Sequence, residues 1–465
     1  MRPFLLALLA ATALGGCTLA PRYERPELPV SQAWPVAVEA TPSTVSSADL
    51  AWRDVFQDAR LQSTIALALE QNRDLRVAVA NIARARAEYR IQRADLLPAI
   101  NAVAAGDRTR TPASVSQTGA AEVSDQYSVS AGFAAYEIDL FGRVQSLSAA
   151  ALQSYLATEE NRRTVQISLI AETANAYLTL AADQDLLKIT RDTLASREVA
   201  YDLSRKRFEA GATSELDLRQ AQTLTEQARS DAATATAQVD RDRNALRLLV
   251  GAEVPADLLP QGGLTAIAVR ADVSAGLPSE VLVRRPDVLA AERALQAQNA
   301  NIGAARAAFF PRISLTGSTG TISPELGDLF GAGTRTWSFA PQIVLPIFSG
   351  GANVANLRGA EASRDVAVAQ YEKAIQTAFR EVSDALAVRA TITERVSAQG
   401  RLVEAATATQ RLTQARYDSG VDGYLALLDA QRTLYAARQT LLTSQLAQAA
   451  NRVELYRALG GGWTP

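Results

Sequence analysis

The stretch RYDSGVDGYLALLDAQRTLY, Arg416 to Tyr435, has an earlier copy in the same chain, RFEAGATSELDLRQAQTL, Arg207 to Leu224. Setting Gly211 against Gly420 aligns Arg207 with Arg416, Leu216 with Leu425, Leu218 with Leu427, and Ala221-Gln222 with Ala430-Gln431. The copies differ in charge, because Asp429 and Arg432 stand where the first copy has Gln220 and Thr223. Other landmarks repeat as well. Pro98 and Pro311, Phe141 and Phe348, and Gly251 and Gly460 are each about 210 positions apart, and a near-constant offset marks a duplicated unit.

Glycine and proline punctuate each unit. No proline occurs between Pro112 and Pro255 and no glycine between Gly142 and Gly211. That span suits a nearly continuous helix of roughly 100 Å at about 1.5 Å per residue. A second glycine-free span from Ala212 to Val250 returns antiparallel to it, with the tip of the hairpin near Gly211. Frequent alanine and an apolar face at helical spacing (Val165, Leu169, Ala176, Leu180) suit close packing in a coiled-coil-like layer.

Four other segments alternate instead. PAINAVAAGDRTR from Pro98 and YSVSAGFAAYEIDLFG from Tyr127 are echoed by PRISLTGSTGTIS from Pro311 and TRTWSFAPQIVLPIFSGG from Thr334. Ile313, Leu315 and Gly317 alternate with Arg312, Ser314, Thr316 and Ser318, and Trp337, Phe339, Ile343, Leu345 and Ile347 form the next apolar series. These are expected strands, in two hairpin-like pairs. Four strands packed on helices would be soluble. In a membrane the same four would leave two open edges, so that reading requires several chains to close one barrel.

Composition removes other classes. A chain of 465 residues with 48% hydrophobic residues can bury a sizeable core, and a formal net charge of -2 argues against nucleic acid as a partner. The absence of histidine and the single cysteine, Cys17, exclude His-based triads, the usual zinc sites and an intrachain disulfide. Carboxylates are plentiful, but no spacing marks a catalytic pair, so no enzyme, cofactor or metal site is expected. At the N-terminus, MRPFLLALLAATALGGC has the basic start, apolar run and small residues of a secretory signal. Leu14-Gly15-Gly16-Cys17 resembles a bacterial lipobox, which implies a palmitate-bearing lipoprotein anchored through Cys17. The Pro-rich segment that follows is expected to be an extended tether, and Thr18 after the cysteine points to outer-membrane sorting.

Several further segments carry a family resemblance: RRPDVLAAERALQAQNANIGAARAAFFPRISLTG (Arg284 to Gly317), YEIDLFGRV (Tyr136 to Val144), LPIFSGG (Leu345 to Gly351) and GVDGYLALLDAQRTLY (Gly420 to Tyr435). Together they resemble the TolC-like outer-membrane efflux proteins, in particular the NodT-type lipoprotein branch. One departure is Tyr136, where many members carry tryptophan; either aromatic suits a membrane interface. The resemblance implies a mainly α fold with a membrane β-barrel portion. It also implies a homotrimer, with a 12-stranded barrel in the outer-membrane lipid continued by a periplasmic α-helical barrel. Such a channel is the exit duct of a tripartite efflux system, served by a periplasmic adaptor and an inner-membrane pump. A duct for type I protein secretion, or a lipid-anchored periplasmic coiled-coil scaffold, remains an alternative on sequence.

The chain then divides into a signal peptide (1–16), a lipidated tether and equatorial segment (17–60), a first repeat (61–251), a linker (252–277) and a second repeat (278–461). Strands are expected near 98–110, 126–141, 311–322 and 334–348, and helical hairpins over 143–250 and 352–459. At about 100° per residue, Leu425, Asp429 and Arg432 share one side of the helix after Gly423, whereas Leu427, Ala430 and Leu434 lie on the other. An isolated helix would use Asp429 and Arg432 as a solvated i,i+3 ion pair. Three-fold symmetry would instead turn Leu425, Asp429 and Arg432 into rings around a periplasmic gate, which is where the resemblance puts the aperture. The tips, Gly211-Ala212-Thr213-Ser214 and Gly420-Val421-Asp422-Gly423, combine turn glycines with Ser or Asp as helix caps. The resemblance assigns them, with Arg207 and Arg416, to adaptor docking.

Overall fold

In the computed structural model, which describes residues 18–35, 50–270, 275 and 281–461, the chain is mainly helical with one four-stranded sheet. In order the elements are α1 (Trp52–Val55), α2 (Ala59–Gln71), α3 (Arg73–Ala94), β1 (Asn101–Thr111), β2 (Glu122–Ile138), α4 (Arg143–Glu209), α5 (Glu215–Val250), α6 (Pro286–Ala307), β3 (Arg312–Ser323), β4 (Arg335–Val344), α7 (Ala352–Asp418) and α8 (Tyr424–Ala458). The duplication is visible in the helices: α4 and α7 each have 67 residues, and the returning α5 and α8 have 36 and 35. The signal peptide and Cys17 lie outside the described residues.

Compactness does not follow the repeats. Of the described residues, one unit gathers those within 18–27, 81–159 and 290–371, and the other those within 28–80, 160–289 and 372–461, so each takes its parts from both halves of the chain.

The first unit holds the sheet, antiparallel throughout, in the order β1-β2-β3-β4. Register separates two faces. Tyr127, Val129, Ala131 and Phe133 of β2 share one face with Gly317 of β3 and Phe339 of β4, and Tyr136, Ile138, Ile313, Leu315, Trp337 and Ile343 continue it. The other face carries Asn101, Ala105, Thr109, Ser128, Ser130, Gly132, Ser314, Ser318, Thr336, Ser338 and Gln342, which are short or polar. One irregularity resets the alternation along β2. Between Phe133 and Tyr136, two alanines oppose the single Thr316; Ala135 takes a positive φ of 53° and its N–H donates to Thr316 Oγ1 at 3.0 Å. This bulge shifts the alternation by one, so Tyr136 stays apolar-side and Glu137 turns to the polar face.

The strands end earlier than their sequence pattern. Leu345 and Ile347, expected on the apolar face of the last strand, lie beyond Val344, where Pro346 has no N–H to continue a ladder. The expected tether is also corrected over its described part. Arg25 grips Glu292 of α6 through two bonds of 2.8 Å, Tyr23 donates to the same carboxylate at 3.0 Å, and Asn299 donates to the Pro21 carbonyl at 2.7 Å. The segment is extended but docked, because an otherwise buried Glu292 needs these donors. Glu292→Ala is expected to release it, seen as new trypsin cleavage after Arg22.

The second unit contains the main apolar core, with Trp52, Phe56, Leu61, Ile65, Tyr177, Leu178, Leu246 and Tyr456 among its fully buried members. Inside it Asp183 of α4 faces Asp242 of α5. Burial, and then the Asp242 carboxyl hydrogen-bonded to it, push the Asp183 carboxyl up to about 7. Since the folded value lies above the ordinary 3.8, the folded chain holds an extra proton between the two values, and stability falls as pH rises toward 7. Asp183→Asn cannot ionise, so its melting temperature is expected to exceed that of the natural chain at pH 8 by about 2–4 °C. The gap should narrow at pH 5 and close only below the ordinary value of 3.8.

Candidate functional site: the hairpin tips

Both tips are built by the same backbone device. Gly211 (φ 71°) donates to the Phe208 carbonyl at 2.9 Å and Ala212 to the Arg207 carbonyl at 2.8 Å. Gly420 (φ 74°) donates to Tyr417 at 3.0 Å and Val421 to Arg416 at 2.9 Å. These are Schellman caps, in which the residue after the glycine closes the longer bond back to the arginine carbonyl. Only the left-handed conformation closes the loop, which is why glycine recurs at that position.

Beyond the caps the tips diverge. Ser214 caps α5 as expected, accepting from Asp217 N at 3.2 Å while Asp217 accepts from Ser214 N in return. Thr213 also donates to Asp217, at 2.8 Å. Asp422, expected as the matching cap, does not cap α8. It takes a two-pronged ion pair from Arg416 at 2.6 and 2.7 Å, and the N-cap residue Gly423 has no side chain to offer. The bidentate guanidinium outcompetes a lone backbone N–H for the carboxylate.

The first tip's arginine reaches the second hairpin. Arg207 Nη1 donates to Tyr417 Oη at 3.1 Å with its guanidinium 5.4 Å from the ring centroid, and Tyr417 in turn packs on Tyr424. Two further links join the hairpins: buried Arg197 donates to Gln431 Oε1 at 2.7 Å, and Tyr435 Oη donates to Asp231 at 3.1 Å. Burial, reinforced by Asp231, raises the Tyr435 phenol to about 12, so it stays a donor at neutral pH. Burial, with Arg432 nearby, lowers the Arg197 pKa. Sequence reading missed these links, although a signal existed: tyrosines 417, 424 and 435 stand where the first copy has Phe208, Glu215 and Glu226.

Leu425, Asp429 and Arg432 lie on the exposed side of α8, and Leu427, Ala430 and Leu434 are buried. No salt bridge joins Asp429 to Arg432 among the described residues. Asp429 instead borders a groove of about 390 Å³ between α7 and α8, lined by Leu402, Ala406, Thr409 and Ala430. Within the first unit, a cavity of about 490 Å³ at the feet of the strands is lined by Glu137, Arg143, Phe310, Arg312 and Gln342. No set of three or more His, Cys, Asp or Glu among the described residues could hold a metal ion, and no described helix is long and apolar enough to cross a membrane.

A family model described as outer membrane efflux protein matches residues 64–252 and 277–461, once for each repeat. The chain belongs to the outer membrane efflux protein family. The toluene efflux pump outer membrane protein TtgC of Pseudomonas putida is 50% identical over 460 residues, covering 98% of this chain and 95% of that protein. Among solved structures, a membrane protein from Pseudomonas aeruginosa matches with a TM-score of 0.91 at 46% identity over 96% and 98% of the two chains. The open-state outer membrane channel MtrE of Neisseria gonorrhoeae matches at 0.87, with 43% identity over 96% and 99%. The efflux protein is therefore an outer-membrane channel component of a tripartite efflux system, a non-catalytic conduit. These comparisons correct the lipid-anchored localisation expected from Cys17. The family is one of integral outer-membrane channels, not of lipid-anchored proteins.

If the three links fasten the second hairpin to the first, Tyr435→Phe should loosen it while keeping the ring. The loss of one hydrogen bond corresponds to about 2- to 10-fold faster trypsin cleavage after Arg416.

Proposed function

We propose that three copies of this chain join their sheets into a twelve-stranded outer-membrane barrel and their helices into a periplasmic tunnel, making a passive exit duct. The observation that carries this reading is the sheet: one apolar face, one polar face, and two unpaired edges. Hydrocarbon tolerates no open edge, and four strands per chain close a barrel only by repetition around an axis. An inner-membrane pump and a periplasmic adaptor supply energy and cargo. The cargo is small and organic, in keeping with relatives named for toluene and for antibiotics. Residues 136–144, 284–317, 345–351 and 420–435 resemble those of the NodT-type members.

The second hairpin is the moving part. Leu425, Asp429 and Arg432, exposed on α8, form rings at the periplasmic aperture, with Leu425 as an apolar constriction and Asp429 as a ring of three carboxylates that favours cations. Their lack of an ion pair with each other supports an axial role over a solvated surface pair. The links from Arg197, Arg207 and Asp231 hold that hairpin to its neighbour in the chain. The tips, Arg207 with Gly211, Ala212, Thr213 and Ser214 and Arg416 with Gly420, Val421, Asp422 and Gly423, present two similar backbone turns with different polar surfaces. They are the adaptor's docking points.

Asp429→Ala is expected to alter single-channel conductance in planar bilayers and to weaken block by a trivalent cation about tenfold, equivalent to about 1.4 kcal/mol. Unchanged conductance together with unchanged block would remove the carboxylate ring.

A further inference from the structure

The feet of the strands repeat as well. DLFGR at 139–143, after β2, matches PIFSG at 346–350, after β4; Leu97-Pro98 before β1 matches Phe310-Pro311 before β3. Within one chain the inner pair is satisfied: Phe141 stacks on Phe310, with ring centroids 4.8 Å apart and planes 23° from parallel. β2 and β3 are adjacent, so this stack closes the foot of the strand pair that joins the two repeats. The outer pair is bare. Phe348 is 90% exposed and Ile347 94%, and Leu97 and Ile100 are 72% and 73% exposed. These residues flank β4 and β1, the two strands with an open edge.

We propose that Ile347 and Phe348 seat on Leu97 and Ile100 of a second copy of this chain, repeating across the subunit boundary the contact that Phe141 and Phe310 make within it. This rests on the trimeric reading above and adds the residues that would fasten it. Strand direction permits the contact: with antiparallel pairing throughout, β4 also meets the β1 of a copy antiparallel, which brings the end of β4 beside the start of β1. The chemistry differs in an informative way. The inner foot holds Glu137 between Arg143 at 2.7 Å and Arg312 at 3.3 Å. The matching outer positions are Val344, Gly350 and Ala99, so the boundary carries no charge that would have to stay hydrated. A run of bare apolar side chains beside an open strand edge is what a protein partner of the same kind would cover.

The test combines Leu97→Cys with Phe348→Cys and treats the protein, purified in detergent, with a short bismaleimide. A ladder of covalent dimer and trimer is expected on denaturing gels, absent from either single variant, which also controls for Cys17. A double variant that has trimer mass by light scattering yet yields no ladder would overturn the seating, leave the trimer standing, and turn the apolar strip toward lipid. A monomeric mass for the natural chain would overturn both. Independently, Phe348→Asp should lower the trimer fraction about tenfold or more while Phe348→Leu leaves it nearly unchanged. Equal fractions for the two would count against the contact.

Discussion

An unpaired strand edge in hydrocarbon is the constraint from which the rest of this molecule follows. Each exposed N–H or C=O in a lipid core costs several kcal/mol, and β1 and β4 each present a row of them. Four strands are too few to curl and meet. The chain's duplication, its two-faced sheet and the bare apolar residues at its outer feet all bear on that one deficit. A sheet so built is an unfinished object, and the proposed trimer supplies its missing neighbours as other copies of itself.

Within that frame the two repeats keep the same scaffold and spend their variation at two places. At the tips, the Schellman caps are common to both copies, while the side chains around them decide which copy is tied down: Arg416 is held locally by Asp422, and Arg207 is left to reach Tyr417. At the feet, the charged cluster around Glu137 occurs once and its counterpart is apolar. Duplication fixes geometry cheaply, and local substitution then assigns unlike roles to equivalent positions.

Much of the architecture was legible from the chain alone, because long glycine-free spans, alternating segments and a constant offset are local or periodic signals. The tips were legible down to the glycine, since a left-handed cap leaves few residue choices. What escaped was non-periodic. Two alanines at 134 and 135 give no hint of a bulge, yet without it Glu137 would point to the apolar face. Asp422 reads as a helix cap until a guanidinium arrives from six residues upstream. The docking of Tyr23 and Arg25 on Glu292, and of Tyr435 on Asp231, joins residues hundreds of positions apart, and no window of sequence contains both partners.

The polar face of the sheet has a consequence of its own. Ser128, Ser130, Ser314, Thr316, Ser318, Thr336 and Ser338 put hydroxyls there, those of Ser318 and Ser338 bonded to each other at 2.8 Å, interleaved with Gly132 and Gly320, which project nothing. A hydroxyl donates or accepts with equal ease and carries no net charge. In the proposed duct a passing molecule would meet a wall that can match whichever group it offers and grips none of them strongly. Discrimination by such a wall is weak whatever the cargo's shape or polarity, so a change of cargo can be made upstream without rebuilding the exit.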